Sequence, residues 1–256
     1  MLGLLWLWQC LDLDNLQIYN KMNFAIIAAG EGSRLQQEGV ATPKPLVSLN
    51  GRPMIGRLID IFVNCGAECI SVIVNEQMTE VREYLENLAT TLPVELRLVV
   101  KSTPSSMHSF YEVSSVLPEG RFILTTVDTI FHEDDFRRYV EAFEQEDATV
   151  DGLMAVTSYI DDEKPLYVDV DSTMRIIAFN DTPSANAKYI SGGIYGLDRS
   201  AIDVLQKCID GGVSRMRNFQ RALVADGLNI RAFDMGKIID VDHQSDIAKA
   251  CELINR

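Results

Sequence analysis

Between residues 23 and 146 a short apolar run gives way four times to a stretch with helical spacing of its apolar residues. The runs are Asn23–Ala29, Cys69–Asn75, Val94–Val100 and Arg121–Val127, and the helical stretches are Met54–Cys65, Gln77–Leu88, Met107–Leu117 and Asp134–Glu146. Strand followed by helix at intervals of roughly 25 residues is the pattern of parallel strands joined by crossover helices, so it predicts an α/β fold with a mostly parallel sheet covered on both faces. The apolar runs suit this, because strands buried on both sides read as continuous hydrophobic stretches rather than alternating ones. Gly66, just past the first helix, supplies a C-terminal stop.

The regularity breaks near residue 150. Four strand candidates follow with few helix signals (Gly152–Tyr159, Leu166–Val170, Arg175–Phe179 and Ile190–Gly196), which predicts antiparallel or mixed pairing. Helices near Arg199–Ile209 and Met216–Asp226, a strand at Ile230–Asp234 and a helix at Ser245–Ile254 complete the pattern. No linker, low-complexity stretch or internal repeat divides it, so residues 22–256 are expected to form one domain, with halves at 22–148 and 149–256. Residues 1–21 are expected to be an extension outside the domain, disordered or not native, with Met22 as the natural start. The apolar run Leu2–Trp8 is too short to span a bilayer and lacks the basic region of a signal peptide. A short membrane-surface anchor is the rival reading of it.

A net charge of −14 argues against nucleic acid as a partner, because a phosphate backbone needs a basic face. A small phosphorylated substrate needs only a local basic cluster. The five cysteines are scattered, odd in number and form no C-x-x-C pair, so free thiols in a reducing cytoplasm are expected rather than disulfides or a zinc site.

In an open parallel sheet, ligands bind beyond the carboxyl ends of the strands. The first such end reads Ala28-Ala29-Gly30-Glu31-Gly32-Ser33-Arg34-Leu35. Its glycines leave backbone N–H groups open to phosphate oxygens, and Arg34 adds a forked cation. The pattern lacks the third glycine of a dinucleotide fingerprint and the G-K-[ST] of a P-loop. Next comes Pro43-Lys44-Pro45-Leu46, with Lys44 restricted by proline on both sides, and then Gly51-Arg52-Pro53-Met54-Ile55.

A-A-G-x-G-x-R-L, P-K-P-L and G-x-P-M-I together resemble the amino-terminal signature of the sugar-1-phosphate nucleotidyltransferases, the nucleoside-diphosphate-sugar pyrophosphorylases. The resemblance implies a GT-A-like, Rossmann-like α/β/α sandwich with a mostly parallel, mixed central sheet. It implies that the first half binds a nucleoside triphosphate and the second a phosphorylated small-molecule acceptor. Ala28, Ala29, Gly30, Gly32 and Ser33 would contact the nucleotide, Arg34 its β- and γ-phosphates, and Lys44 the α-phosphate under attack. Thr103, Ser105 and Ser106 stand where the family holds the nucleobase, with serines in place of the usual glycine.

Asp128 ends the fourth strand, where the family has a metal-binding aspartate, and a helix cap is the plain alternative. Asp240-Val241-Asp242-His243 resembles the family's closing element, whose first aspartate completes the metal site. Asp128 and Asp240 are therefore expected to hold Mg2+, with Asp242 a capping or supporting group and Asp246 a solvated acid of the first helical turn. His243 is a weaker rival, since magnesium prefers oxygen. For the acceptor, Gly193 in Ser191-Gly192-Gly193-Ile194-Tyr195 resembles the sugar-half strand. A usual lysine before Pro183 is absent, which leaves Lys188, Arg215 and Arg217 as candidates for the acceptor phosphate. The expected reaction moves a nucleoside monophosphate from a triphosphate onto a sugar 1-phosphate and releases pyrophosphate. The alternatives are a cytidylyltransferase acting on a phospho-alcohol such as phosphocholine, and a catalytically silent nucleotide-binding regulator. Oligomeric state stays open, a homo-oligomer included.

Overall fold

The computed structural model describes residues 21–255 except 162 and 186, so the expectation for residues 1–21 lies, apart from Lys21, outside the described residues. In chain order, β1 (Met22–Ala28) leads into α1 (Ser33–Gln37), a single 3-10 turn (Lys44–Leu46), and the ribbon of β2 (Ser48–Leu49) and β3 (Arg52–Pro53). Then follow α2 (Met54–Asn64), β4 (Ala67–Val74), α3 (Thr79–Ala89), β5 (Glu95–Val100), α4 (Ser106–Ser114), β6 (Phe122–Thr126), β7 (Thr129–Ile130) and α5 (Glu133–Gln145). The rest comprises β8 (Gly152–Thr157), β9 (Tyr167–Val170), β10 (Ile176–Asn180), β11 (Tyr189–Leu197), α6 (Ser200–Asp210), α7 (Met216–Ala225), β12 (Ile230–Asp234), β13 (Ile239–Asp240) and α8 (Gln244–Ile254).

One sheet takes strands from both parts of the chain. β5, β4, β1 and β6 lie side by side and parallel. β11 runs against β6 and against β8 on its other edge, and β12 pairs with β8 in parallel. The antiparallel β9–β10 pair extends from the first residues of β11. This is the mostly parallel α/β sandwich expected, and every antiparallel pair of this sheet includes a strand from after residue 150.

The two-residue period of β1 divides the core. Phe24, Ile26 and Ala28 face α2 and α5, where Phe24 stacks on Phe62 at 4.3 Å between ring centroids. Ala25, Ile27 and Ala29 face the opposite layer, with Phe110 of α4 and Phe219 of α7. A third, smaller cluster of Leu35, Val47, Leu49, Met54, Ile130, Val241 and Ala250 packs α1 and α8 against the carboxyl end of the sheet. The four described cysteines are free thiols, three of them buried. Among the described residues no helix is long and apolar enough to cross a membrane.

Two short ribbons had no signal in the sequence. The one that positions the site pairs β7 with β13, setting Asp240 opposite Thr129, and Val241 N–H donates to the Asp128 carbonyl at 3.0 Å. Segments more than a hundred residues apart in the chain thereby meet at the end of β6.

Candidate active site

The loop after β1 and the 3-10 turn are built around each other. Gly32 has φ +65°, and a Cβ there would lie 2.7 Å from Lys44 Cβ, so only glycine lets the lysine side chain lie against the loop. A Cβ on Gly30 would meet nothing within 4 Å, and that residue lines the open cleft. Held in this way, Lys44 is 8% exposed. Its Nζ donates to Asp128 Oδ2 at 2.5 Å and to Asp242 Oδ1 at 2.7 Å. Arg34 Nη1 donates to the other oxygen of Asp242 at 2.5 Å.

Burial by itself would lower the Lys44 pKa, but the carboxylates of Asp128 and Asp242 outweigh it and raise the value well above the ordinary lysine range. Burial likewise opposes ionisation of Asp128, and the Lys44 charge and hydrogen bonds overcome it, so its carboxyl is held below the usual range. The group is an ammonium between carboxylates at neutral pH.

Two clefts meet here. The first, about 600 Å³, runs from the Gly30–Arg34 loop past Lys44 to Thr103, Ser105 and Ser106. The second, about 350 Å³, is lined by Gly193, Tyr195, Arg215, Arg217, Gln220 and Asp240. Ser106, Thr126, Asp128 and Asp242 line both. A group in one cleft can therefore meet a group in the other beside the two aspartates.

Ala29, Gly30, Gly32, Ser33, Arg34, Lys44, Thr103, Ser105 and Ser106 all line the first cleft, whereas Ala28 is 1% exposed and turned into the core. Asp128 and Asp240 lie at one end of the sheet, as expected of a pair, with Asp240 Oδ1 accepting from Thr129 Oγ1 at 3.1 Å. It is Asp242, however, that shares the Lys44 cation with Asp128. The helix-capping role belongs to its neighbours, because His243 and Asp246 close the capping box of α8. Asp246 is thus engaged, accepting from His243 N–H at 2.9 Å and facing Lys249. His243 Nδ1 is 2.6 Å from Glu38, whose hydrogen bond, and then its charge, raise the imidazole pKa.

Of the acceptor candidates, Gly193, Arg215 and Arg217 line the second cleft. Gly193, at φ +73°, sits in a break of the β11 register, and a Cβ there would come within 2.6 Å of Thr129 Oγ1. Lys188 lines neither cleft, and its Nζ donates to Tyr189 OH at 2.8 Å.

Asn75 and Gln220 are among the polar residues of the clefts that escaped sequence reasoning. Asn75 is buried and joins three strand ends: its amide donates to Ala29 O at 3.3 Å, and its Oδ1 accepts from Gln77 N–H and Ser102 Oγ. Gln220 lies on the apolar face of α7 with Met216, Phe219 and Leu223, and that interruption of an apolar stripe is the signal that could have found it.

A family model described as nucleotidyl transferase matches residues 24–247, most of the chain. The chain belongs to the nucleotidyl transferase family. A 2-aminoethylphosphonate cytidylyltransferase of Lancefieldella rimae is 35% identical to this nucleotidyl transferase over 116 residues, 44% of this chain and 46% of the relative. A glucose-1-phosphate thymidylyltransferase of an Actinoplanes species is 26% identical over 186 residues, 71% of this chain and 60% of the relative. The chain thus spans about half the length of the first relative and somewhat more of the second. The fold matches that of a solved inositol-1-phosphate CTP transferase from T. maritima, with a TM-score of 0.77 at 18% identity, covering 92% of this chain and 97% of that one.

Proposed function

We propose that this chain transfers a nucleoside monophosphate from a nucleoside triphosphate to a small phosphorylated acceptor, a sugar 1-phosphate or a phospho-alcohol, and releases pyrophosphate. The observation that carries the reading is the buried Lys44 ammonium set against Asp128 and Asp242, where a nucleotide-sized cleft meets a smaller one. An acceptor phosphate oxygen forms a bond to the α-phosphorus, the bond from that phosphorus to the bridging oxygen breaks, and pyrophosphate leaves with the electron pair. Because the acceptor phosphate is already ionised, no protein base is needed. Lys44 cannot serve as one, since its raised pKa keeps it protonated. It contributes fixed positive charge beside the α-phosphate as charge builds there, and Arg34 does the same for the outer phosphates.

The donor set fits a magnesium ion. Asp128 and Asp242 converge on the Lys44 ammonium and both line the clefts, and magnesium is held by one or two carboxylates while keeping several waters. Among the described residues no three histidine, cysteine, aspartate or glutamate side chains are grouped as metal ligands, so a bound ion would take most of its ligands from water and substrate. We assign the ion to Asp128 and Asp242, and Asp240 to the acceptor side. When bound, it would neutralise charge on the departing pyrophosphate.

One set of observations favours a cytidylyl donor and a compact acceptor. The first relative is a 2-aminoethylphosphonate cytidylyltransferase, and Asp181 stands near the place of the missing lysine. The test is pyrophosphate release with CTP, dTTP, UTP, ATP and GTP against glucose 1-phosphate, inositol 1-phosphate, phosphocholine and 2-aminoethylphosphonate. Release with one pair supports transfer. Tight triphosphate binding with no release from any pair would favour the silent regulator.

A further inference from the structure

The acceptor cleft contains a buried side chain whose hydrogen-bond donors are unused. Gln220 is 3% exposed. Burying a carboxamide is costly unless its polar atoms are paired. Its Oε1 accepts from the Ser191 hydroxyl at 2.8 Å, while among the described residues its amide nitrogen has no partner. That nitrogen is not one of the sealed, unpaired atoms of the interior, and Gln220 is part of the cleft wall, so the nitrogen opens into the cleft. Ser191 is held in turn, its N–H donating to Leu166 O at 2.9 Å. A fixed serine therefore orients the amide, leaving an N–H donor aimed at whatever enters.

The arginines nearby divide into two kinds. Arg217 is committed, with Nη1 2.6 Å from Asp181 Oδ1 and Nη2 donating to Lys164 O at 2.9 Å. Arg221 is also 2.8 Å from Asp181. The Arg215 guanidinium lines the cleft and has no hydrogen bond or ion pair among the described residues. Its backbone sits at φ +73°, which side-chain-bearing residues rarely adopt, and its N–H donates to Ser105 Oγ at 3.3 Å.

We propose that Gln220 is an acceptor-selecting residue, its amide donating to an oxygen of the phosphorylated acceptor while Arg215 supplies the charge for its anion. This rests on the reading of the second cleft as the acceptor cleft. The ligand class is a small phosphate or phosphonate ester, or an acid, with an oxygen in reach of the amide. Gln220 lines the acceptor cleft and not the nucleotide cleft, so its effect falls on one substrate.

The test is Gln220→Glu, which keeps the shape and replaces the donor by an anionic oxygen, beside Gln220→Met, which removes both polar atoms. With the best acceptor among glucose 1-phosphate, inositol 1-phosphate, phosphocholine and 2-aminoethylphosphonate, acceptor KM should rise by about 10-fold or more, most in Gln220→Glu, because a hydrogen bond to a charged group is lost. Triphosphate KM should stay within about 2-fold, since no contact to that substrate changes. An unchanged acceptor KM in a folded variant, or an equal rise in both KM values, overturns the assignment. If the Gln220 variants do not fold, Ser191→Ala releases the amide from its orientation and should raise acceptor KM alone, and no change there overturns it as well. If the wild type releases no pyrophosphate with any pair, the transferase reading fails separately. Calorimetric titration of 2-aminoethylphosphonate and glucose 1-phosphate into the wild type and Gln220→Glu then decides the donor, and equal affinities sink it.

Discussion

Gly32 and Lys44 touch backbone to side chain: a Cβ added to Gly32 would stand 2.7 Å from Lys44 Cβ, inside any ordinary contact distance. The glycine loop and the lysine turn are therefore one device, although eleven residues separate them in the chain. Gly32→Ala must displace the lysine and also hold φ near +65°, a left-handed conformation that costs a non-glycine residue about 1–2 kcal/mol. Gly30→Ala meets neither penalty. The expected outcome is a lower melting temperature and a large loss of turnover for Gly32→Ala, and near-wild-type stability for Gly30→Ala. Equal melting temperatures for the two would show that the loop relaxes around the added methyl.

Lys44→Met removes the cation but keeps much of the stem that fills the turn. Turnover should fall by about 10²-fold or more, as when a charge-stabilising group is deleted from a transition state. Asp128 and Asp242 lose the ammonium between them and repel each other, so the variant should also melt earlier. Thermal melts with and without magnesium check this, and the ion should restore more stability to the variant than to the wild type.

The two aspartates of the closing element are expected to separate in function. Asp242→Asn and Asp128→Asn keep shape but weaken the hold on the ion, so both should lose most activity and regain part of it at raised magnesium. Asp240→Asn should leave the magnesium dependence nearly unchanged and act on acceptor KM. Magnesium titrations of initial rate across the three variants read this directly. A shifted magnesium midpoint in Asp240→Asn alone would return the metal site to Asp240.

The different surroundings of Asp240 and Asp242 were not legible in the sequence, for a local reason. In an extended segment residues two apart share a face, so periodicity alone does not separate Asp240 from Asp242, and only the family resemblance favoured Asp240. Here Asp242 N–H donates to Asp240 O at 3.2 Å, and the chain turns between them. Asp240 is directed to Thr129, and Asp242 to Lys44 and Arg34. The β7–β13 ribbon that sets this geometry has two residues per strand, too few to carry any periodicity. The large elements were legible because buried parallel strands and amphipathic helices repeat over many residues. The positions of the glycine loop and Asp128 were legible because both follow strands, and that of Lys44 because it falls in a dense motif. Gln220 was hidden within a stripe that otherwise reads as core.

The last prediction concerns β11, a reversed strand of the central sheet. Tyr139 of α5 is fully buried, and its hydroxyl donates to Leu153 O of β8 at 2.5 Å and accepts from Gly196 N–H of β11 at 2.6 Å. Burial raises the phenol pKa above its ordinary value, so it remains a neutral donor throughout the physiological range. Tyr139→Phe keeps the ring in the aromatic cluster with Phe136 and Phe233 but removes the hydroxyl. A buried carbonyl and a buried N–H on adjacent strands then lose a partner together, which should cost about 1–3 kcal/mol. Gly196 has no room to shift toward the core, because a Cβ there would already meet the Phe143 ring at 2.9 Å. Equilibrium denaturation should show the lower stability, while kcat and both KM values stay close to wild type, since Tyr139 lines neither cleft. A stable variant would mean that the two backbone groups find each other or water, and a stable variant with altered acceptor KM would mean that the β8–β11 pairing shapes the acceptor cleft.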